Sequence, residues 1–235
     1  MKVLLTIAAF CILSGCETAQ QVLGGMNTGS TGLTSAEIAS GLKEALSMGT
    51  QNGTGKLAAA DGFFSNAAVK ILMPEEARKV ESTLRNIGLG SLVDKAVLSM
   101  NRAAEDAAKS AAPIFVNAIR EMSITDALGI LKGGDYAATD YFKSKTTLPL
   151  TNAFRPVIEK ALTKVDATKY WNDVFTAYNK FAASPVNTDL AAYVTERSLA
   201  GIFYEVGQEE LKIRKDPAAR VTDLLKKVFG GNAGE

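Results

Sequence analysis

The chain has 235 residues, 47% of them hydrophobic, which is enough to bury a sizeable core as one domain or two intimate subdomains. Its 26 basic and 25 acidic side chains nearly cancel, and no Lys/Arg-rich block offers the basic face that neutralising nucleic-acid phosphates requires. It has no histidine and only two cysteines, which removes Ser-His-Asp triads, Cys-His nucleophiles and Cys/His zinc sites together.

Residues 1–15 have the form of an export signal. Lys2 is the positive end, and Val3 to Leu13 is an apolar run interrupted by Thr6. The run is too short to span a bilayer, which takes roughly 20 apolar residues, and fits the about 7 to 15 of a cleavable signal. Leu13-Ser14-Gly15-Cys16 then has the residue order of a bacterial lipoprotein cleavage site. The Cys16 thiol is the nucleophile that takes the diacylglyceryl group, so Cys16 is the expected lipidation site. An ordinary secretory signal with a chance cysteine is the alternative. Cleavage before Cys16 takes Lys2 and Cys11 away, leaving 25 basic against 25 acidic groups and no thiol for a disulfide. Residues 16–32, rich in Thr, Gln, Gly, Asn and Ser, read as a flexible tether with a mean reach of about 20 to 25 Å.

The folded domain is expected over 33–230, with a disordered tail at 231–235. Thr34 and Glu37 have capping-box spacing. Ile38, Leu42, Ala45 and Leu46 follow at helical intervals, with Gly49 to Gly55 as the exit. In the stretch 56–73, Asp61-Gly62 is a turn signal, and Val69 to Leu72 is either a short strand or an extended run. Pro74 opens a helix with the stripe Ala77, Val80, Leu84 and Ile87, and Gly88 stops it. Ser91 with Asp94 is read as the cap of a longer helix carrying Val93, Ala96, Val97, Met100, Ala104, Ala107 and Ala111 on one face. Pro113 either kinks that helix or begins the next, which buries Phe115, Ile119 and Met122.

Ser123 and Asp126 repeat the capping spacing, and Lys132-Gly133-Gly134 ends a short helix. Two helices are predicted over 135–145 and 148–165, the second bending at Pro156. Asp166 caps a helix whose stripe is Tyr170, Val174, Tyr178 and Phe181, closed by Pro185. The helix from Leu190 to Leu211 is apolar on more than one side and is expected to lie centrally, with Gly201 and Gly207 admitting another backbone. Asp216-Pro217 starts a last helix with Val221, Leu224, Leu225, Val228 and Phe229 on its apolar face. The fold class is thus all-α, a single compact domain of about 8 to 10 helices after signal and tether. No repeat of solenoid length recurs.

Six ordered blocks resemble one family. They are Gly41 to Leu46, Asp61 to Pro74, Asn101 to Phe115, Ile124 to Thr146, Tyr193 to Phe203 and Glu209 to Gly230. Together they are similar to the bacterial lipoproteins that carry the domain of unknown function 4197, over about Ser35 to Gly230. The resemblance implies a helical envelope protein of a Gram-negative bacterium and carries over no activity and no site residue.

Without histidine, acid-base chemistry falls to carboxylates, which a glycosidase needs in pairs roughly 5 to 10 Å apart. Glu105, Asp106, Glu121, Asp126, Asp135 and Asp140 are the candidates, each with a structural alternative: Asp126 and Asp135 as caps, and Arg102 pairing with Glu105 or Asp106. The Glu-x-x-His element of di-iron bundles cannot occur, and no calcium loop or phosphate-cradling glycine motif is present. No cofactor or metal site is expected. Tyr170 and Trp171, with Phe175 and Tyr178, are candidates to line a ligand groove, or they are core. Arg214 and Arg220 are candidate partner or headgroup contacts, or a solvated helix end in which Arg214 pairs with Glu210. The expected role is a non-catalytic binding or assembly module held to an envelope membrane by lipid on Cys16, with an envelope protein as partner and no nucleic acid. Glu17, in place of an aspartate after the cysteine, favours the outer membrane, facing the periplasm or the cell surface. The alternatives are a helical pocket for an apolar or envelope-derived ligand and a carboxylate-based hydrolase of envelope glycan.

Overall fold

The computed structural model describes residues 33–164, 166–180, 185 and 189–230, without the side chains of Lys169, Tyr170, Asp173, Val174, Ala177 and Tyr178. The expected signal, Cys16, the tether, Val165, Phe181 and the tail therefore lie outside the described residues, as do the Tyr170, Val174 and Tyr178 side chains. Among the described residues the domain is all-helical, as the periodicities predict. It contains α1 (Ser35–Ala58), α2 (Arg78–Asn86), α3 (Gly90–Ala108), α4 (Ala111–Glu121), α5 (Ile124–Lys132), α6 (Ala137–Thr163), α7 (Ala167–Asn179), α8 (Leu190–Lys215) and α9 (Asp223–Gly230). Two 3-10 turns, Glu75–Ala77 and Pro217–Ala219, precede α2 and α9.

Helix α8 is central, as its all-round apolar pattern implies. Its main neighbours are α1 and α6, and it also meets α3 and α7. Helices α4, α5 and α9 close the outer side of α1. The middle of the core is an aromatic cluster in which Phe115 of α4 meets Phe142 of α6 and Phe203 of α8 edge to face, with ring centroids 5.3 and 6.1 Å apart. Each such pair contributes about 0.5 to 1.5 kcal/mol beyond the area it buries.

Both capping boxes form. Thr34 Oγ1 accepts from the Glu37 N–H while the Glu37 carboxylate accepts from the Thr34 N–H, and Ser123 and Asp126 do the same at α5. Helix α1 does not exit at Gly49, however. It runs on to Ala58, because Gly49 and Gly53 sit where α8 crosses. A Cβ on Gly53 would lie 3.3 Å from the Glu205 carbonyl, so these glycines set the interhelical distance and do not break the helix. The Thr50 and Thr54 hydroxyls turn back onto the Leu46 and Thr50 carbonyls and hide their polarity inside the helix.

The predicted break between 145 and 148 is also absent. Residues 137–163 form one helix with Pro149 and Pro156 inside it. Proline withdraws an N–H from the ladder, but Leu150, Phe154, Ile158 and Leu162 are fully buried beneath this helix and hold it together as one rod. Pro113 lies in the first turn of α4 and begins that helix, so it causes no kink.

Three caps and two stripe ends differ from expectation. Helix α3 starts at Gly90 after Leu89, so Ser91 is no cap, and Asp94 instead pairs with Arg85 at 2.9 Å. Its start is set by the preceding helix end. Gly88 adopts φ +83° while the Leu89 and Gly88 N–H groups donate to the Leu84 and Arg85 carbonyls, closing a Schellman motif. That turn carries Ile87 out to 64% exposure. Asp135 pairs with Lys215 and leaves the capping of α6 to another residue. Asp216 does accept from the Ala218 N–H, but the turn it caps is 3-10, and α9 begins only at Asp223. Val221 accordingly lies outside the stripe, 61% exposed, while Leu225 and Val228 are buried.

The run Val69 to Leu72 forms no strand: the Val69 and Lys70 N–H groups close a turn onto the Asn66 carbonyl, and residues 70–74 follow without regular secondary structure. The Asn101 side chain takes the place of a neighbouring strand. Its Oδ1 accepts from the Ile71 N–H at 2.9 Å and its Nδ2 donates to the Ile71 carbonyl at 2.8 Å.

Candidate functional site

The buried carboxylates are engaged within the frame. Glu105 of α3, almost fully buried, accepts from the Phe63 and Phe64 N–H groups at 3.2 Å each and pairs with Arg102 at 2.6 Å. Arg102 reaches on to Asp61 at 2.7 Å, so one guanidinium pins the turn that follows α1. Glu209 pairs with Lys56, and Glu205 accepts from the Asn66 amide at 2.9 Å. The Glu209 bond holds the Lys56 ammonium above its usual range. Glu210 accepts from the Ala138 and Thr139 N–H groups and supplies the missing cap of α6 from α8.

A different situation holds where α4, α5 and α6 meet at the surface. A cavity of about 400 Å³ opens there between Ile114, Asn117, Ala118 and Glu121 of α4, Asp126 of α5, and Tyr141, Lys145, Thr146 and Pro149 of α6. Each polar side chain arrives by helix geometry, since Asn117 with Glu121 and Tyr141 with Lys145 are i, i+4 pairs on the facing sides of α4 and α6. The capping box of α5 delivers Asp126. Its Oδ2 accepts from the Ser123 hydroxyl at 2.7 Å and the Ser123 N–H at 3.0 Å. These bonds hold the Asp126 carboxyl below the usual range, with Lys145 and Lys43 assisting. Burial pushes the Tyr141 hydroxyl up, and the Asp126 and Glu121 charges add to that. The phenol therefore stays protonated and both donates and accepts. Lys145 Nζ stands 5.7 Å from the centre of the Tyr141 ring. Among the described residues, the side-chain polar groups of Asn117, Glu121, Tyr141 and Lys145 make no hydrogen bond or ion pair. Pro149 has no N–H to give the Lys145 carbonyl, leaving one more backbone acceptor on this face.

The side chains singled out from the sequence fall elsewhere. Trp171 is buried on α7 with its ring centre 4.4 Å from that of Phe175, the core alternative, while the Tyr170 side chain lies outside the described residues. Arg214 pairs with Glu210 as its i, i+4 spacing predicts, but this is not a solvated end. The two side chains are only 13% and 4% exposed, and Arg214 Nη2 also donates to the Ile130 carbonyl at 2.8 Å. Arg220 donates to the Ile213 and Arg214 carbonyls at the end of α8 and lies over the Phe229 ring. The structure does not bring Trp171, Arg214 and Arg220 to the α4–α5–α6 cavity. Of the six candidate carboxylates, Glu121 and Asp126 share that cavity. Glu105 is spent on the turn, and Asp106, Asp135 and Asp140 pair with Lys109, Lys215 and Lys143. Asn117, Tyr141 and Lys145 carry no sequence signal of their own. In the sequence Glu121 and Asp126 are two of six candidate acids with no spacing to single them out, and a helix ending at Lys145 does not put Tyr141, Lys145 and Pro149 on one face.

A second cavity, of about 360 Å³, lies between α1, the end of α8 and the 3-10 turn, where Met48, Asn52, Glu209, Lys212, Ile213 and Leu225 line it. Among the described residues no group of three or more acidic or cysteine side chains is placed to hold a metal ion, and no helix is long and apolar enough to cross a membrane.

Among the described residues, fold and cavity thus define an all-helical domain with a polar groove assembled from α4, α5 and α6. The family model described as "Protein of unknown function (DUF4197)" matches residues 32–230, and the chain belongs to that family. Neither the curated proteins nor the solved structures contain a match.

Proposed function

We propose that this protein is an envelope-anchored binding or assembly module that performs no catalysis, held by lipid on Cys16 and facing its partner with the α4–α5–α6 groove. One observation carries the reading. Four polar side chains converge on that groove without partners of their own, while the buried carboxylates of the domain are occupied with helix ends, turns and ion pairs. The core fixes the three helices that carry these groups, so a ligand has only the side chains to order, at about 0.5 to 1.5 kcal/mol each. The Leu-Ser-Gly-Cys order at 13–16 supports the anchor, and Glu17 supports the outer membrane.

Hydrolysis of envelope glycan at the same groove needs one carboxyl protonated near neutral pH and the other ionised. Asp126 is kept ionised by its bonds from Ser123, and Glu121 stands exposed instead of in the apolar pocket that a proton-donating carboxyl needs, so the binding role is better supported. An apolar ligand is also a poor fit to the two cavities described above, since both open to solvent and carry charged side chains.

Two measurements test the proposal. Intact mass of the mature protein should give a chain starting at Cys16 with acyl chains, and a different start without lipid would remove the anchor. A photoreactive side chain at position 117, activated in intact cells, should give a discrete adduct that one at position 106 does not. The same products from both positions would remove the groove as the binding face.

A further inference from the structure

The groove also specifies the chemistry of its occupant, an inference that rests on the binding reading above. Ala118 and Thr146, both buried, lie deepest in it, and Ile114, Pro149 and the half-buried Tyr141 ring add apolar wall. Around this wall stand an amide, a phenol, an ammonium and two carboxylates, so donors and acceptors are mixed and both signs of charge are present, with Lys43 also acting on Asp126. An anion such as phosphate would meet Glu121 and Asp126. A polyamine would meet Lys145, and Lys43 already acts on Asp126. A purely apolar molecule would strip water from three formal charges and return no hydrogen bond, which costs several kcal/mol.

A hydroxyl-rich ring without charge meets each demand. Its O–H groups donate to Glu121 and to the Asp126 oxygen that Ser123 leaves open. Its oxygens accept from Asn117, Lys145 and the Tyr141 hydroxyl, and its C–H faces lie against Ile114, Pro149 and the phenol ring. A volume of about 400 Å³ is at the small end of ligand sites. We propose that the α4–α5–α6 groove binds an uncharged saccharide of one or two rings, with Asn117, Glu121, Tyr141 and Lys145 as its hydrogen-bonding contacts.

The test is a titration of the ¹⁵N-labelled full-length mature protein with cellobiose and with di-N-acetylchitobiose, using inorganic phosphate and spermidine as charged comparators, read by amide chemical shifts. The expected result is saturable shifts at residues 114–126 and 141–149 with at least one sugar and none that saturate with phosphate or spermidine. Tyr141→Phe and Glu121→Gln, both at positions without internal partners, should fold as the parent does by circular dichroism and weaken sugar binding about five- to tenfold, the loss of one hydrogen bond. Asp106→Asn, outside the groove, should bind as the parent does. Absence of groove-confined shifts with both sugars, saturation by phosphate or spermidine, or unchanged affinity in both groove variants would overturn the saccharide proposal. A discrete protein adduct at position 117 without sugar binding would remove this proposal and leave the binding module standing. Sugar binding by a chain without lipid at Cys16 would uphold this proposal and remove the anchor.

Discussion

Glu210 and Arg214, one turn apart on α8, tie together two helix ends of opposite polarity. The Glu210 carboxylate accepts from the Ala138 N–H, the Thr139 N–H and the Thr139 hydroxyl at 2.9, 2.8 and 2.8 Å, at the start of α6. Arg214 donates to Glu210 at 2.9 and 3.0 Å, and to the Ile130 and Leu131 carbonyls in the last turn of α5 at 2.8 and 3.4 Å. An anion thus meets the positive end of one helix dipole and a cation the negative end of another. The pair fixes the α5–α6 turn and with it two of the three walls of the groove.

Glu210→Ala should therefore destabilise the domain strongly. It leaves two helix N–H groups unpaired and the Arg214 guanidinium without its counter-charge in a nearly dry site, and breaking a buried pair in this way costs about 3 to 5 kcal/mol. Arg214→Met should cost a similar amount, and the double variant less than the two losses added, because the partners no longer strand each other. Urea midpoints of the four proteins measure the coupling. Additive losses would mean that the two side chains act independently.

Asn101 should matter almost as much, since one amide satisfies both polar groups of the fully buried Ile71, which lies outside any helix. Asn101→Leu keeps the volume but leaves a buried N–H and a buried carbonyl without partners, at about 1 to 3 kcal/mol each. Hydrogen exchange at the Ile71 amide should accelerate with it. Unchanged protection there would show that the amide is held by packing alone.

The fold was legible where its determinants are local. Thr34 with Glu37 and Ser123 with Asp126 close their boxes within four residues, so spacing alone locates both helix starts. What eluded the sequence depends on distant partners. Gly53 reads as part of a helix exit until the Glu205 backbone is found against it, and 135–165 reads as two helices until the buried Leu150, Phe154, Ile158 and Leu162 are seen beneath one continuous helix. The cap of α6 comes from a residue 72 positions away. The groove was less legible still, because Asn117 and Tyr141 are ordinary surface residues on separate helices until α4 and α6 bring them face to face. The apolar stripes specify that packing only collectively.

The two capping boxes make the domain acid-sensitive in a defined way. Bonds from Thr34 and from Ser123 hold the Glu37 and Asp126 carboxyls below their ordinary range, so the folded chain takes up protons at lower pH than the unfolded one. The stability they provide is present above the unfolded carboxylate range, near pH 4, and is lost as pH falls through the lower folded values. Thr34→Ala combined with Ser123→Ala should lower Tm at pH 7 and flatten part of its decline below about pH 4, because the hydroxyl bonds to Glu37 and Asp126 are lost while the backbone N–H bonds remain. An acid decline as steep as the parent's would assign it to other carboxylates.

Glycines in this domain divide by what faces them, and two substitutions should move stability in opposite directions. A Cβ on Gly62 would lie 2.3 Å from the Lys56 carbonyl oxygen and 2.8 Å from Leu57 Cα. Both are backbone atoms of the last turn of α1, so Gly62→Ala must push apart the turn that Glu105 and Arg102 hold, and a loss of about 2 kcal/mol or more is expected. Gly129, inside α5, has nothing within 4 Å of the same position. There alanine only restricts the unfolded chain and improves the helix, a gain of about 0.5 to 1 kcal/mol. Thermal unfolding of both variants, on the same protein, separates glycine kept for space from glycine that space does not require. A neutral Gly62→Ala would mean that the Asp61 turn is slack, and the restraint assigned to Glu105 would then have to be withdrawn.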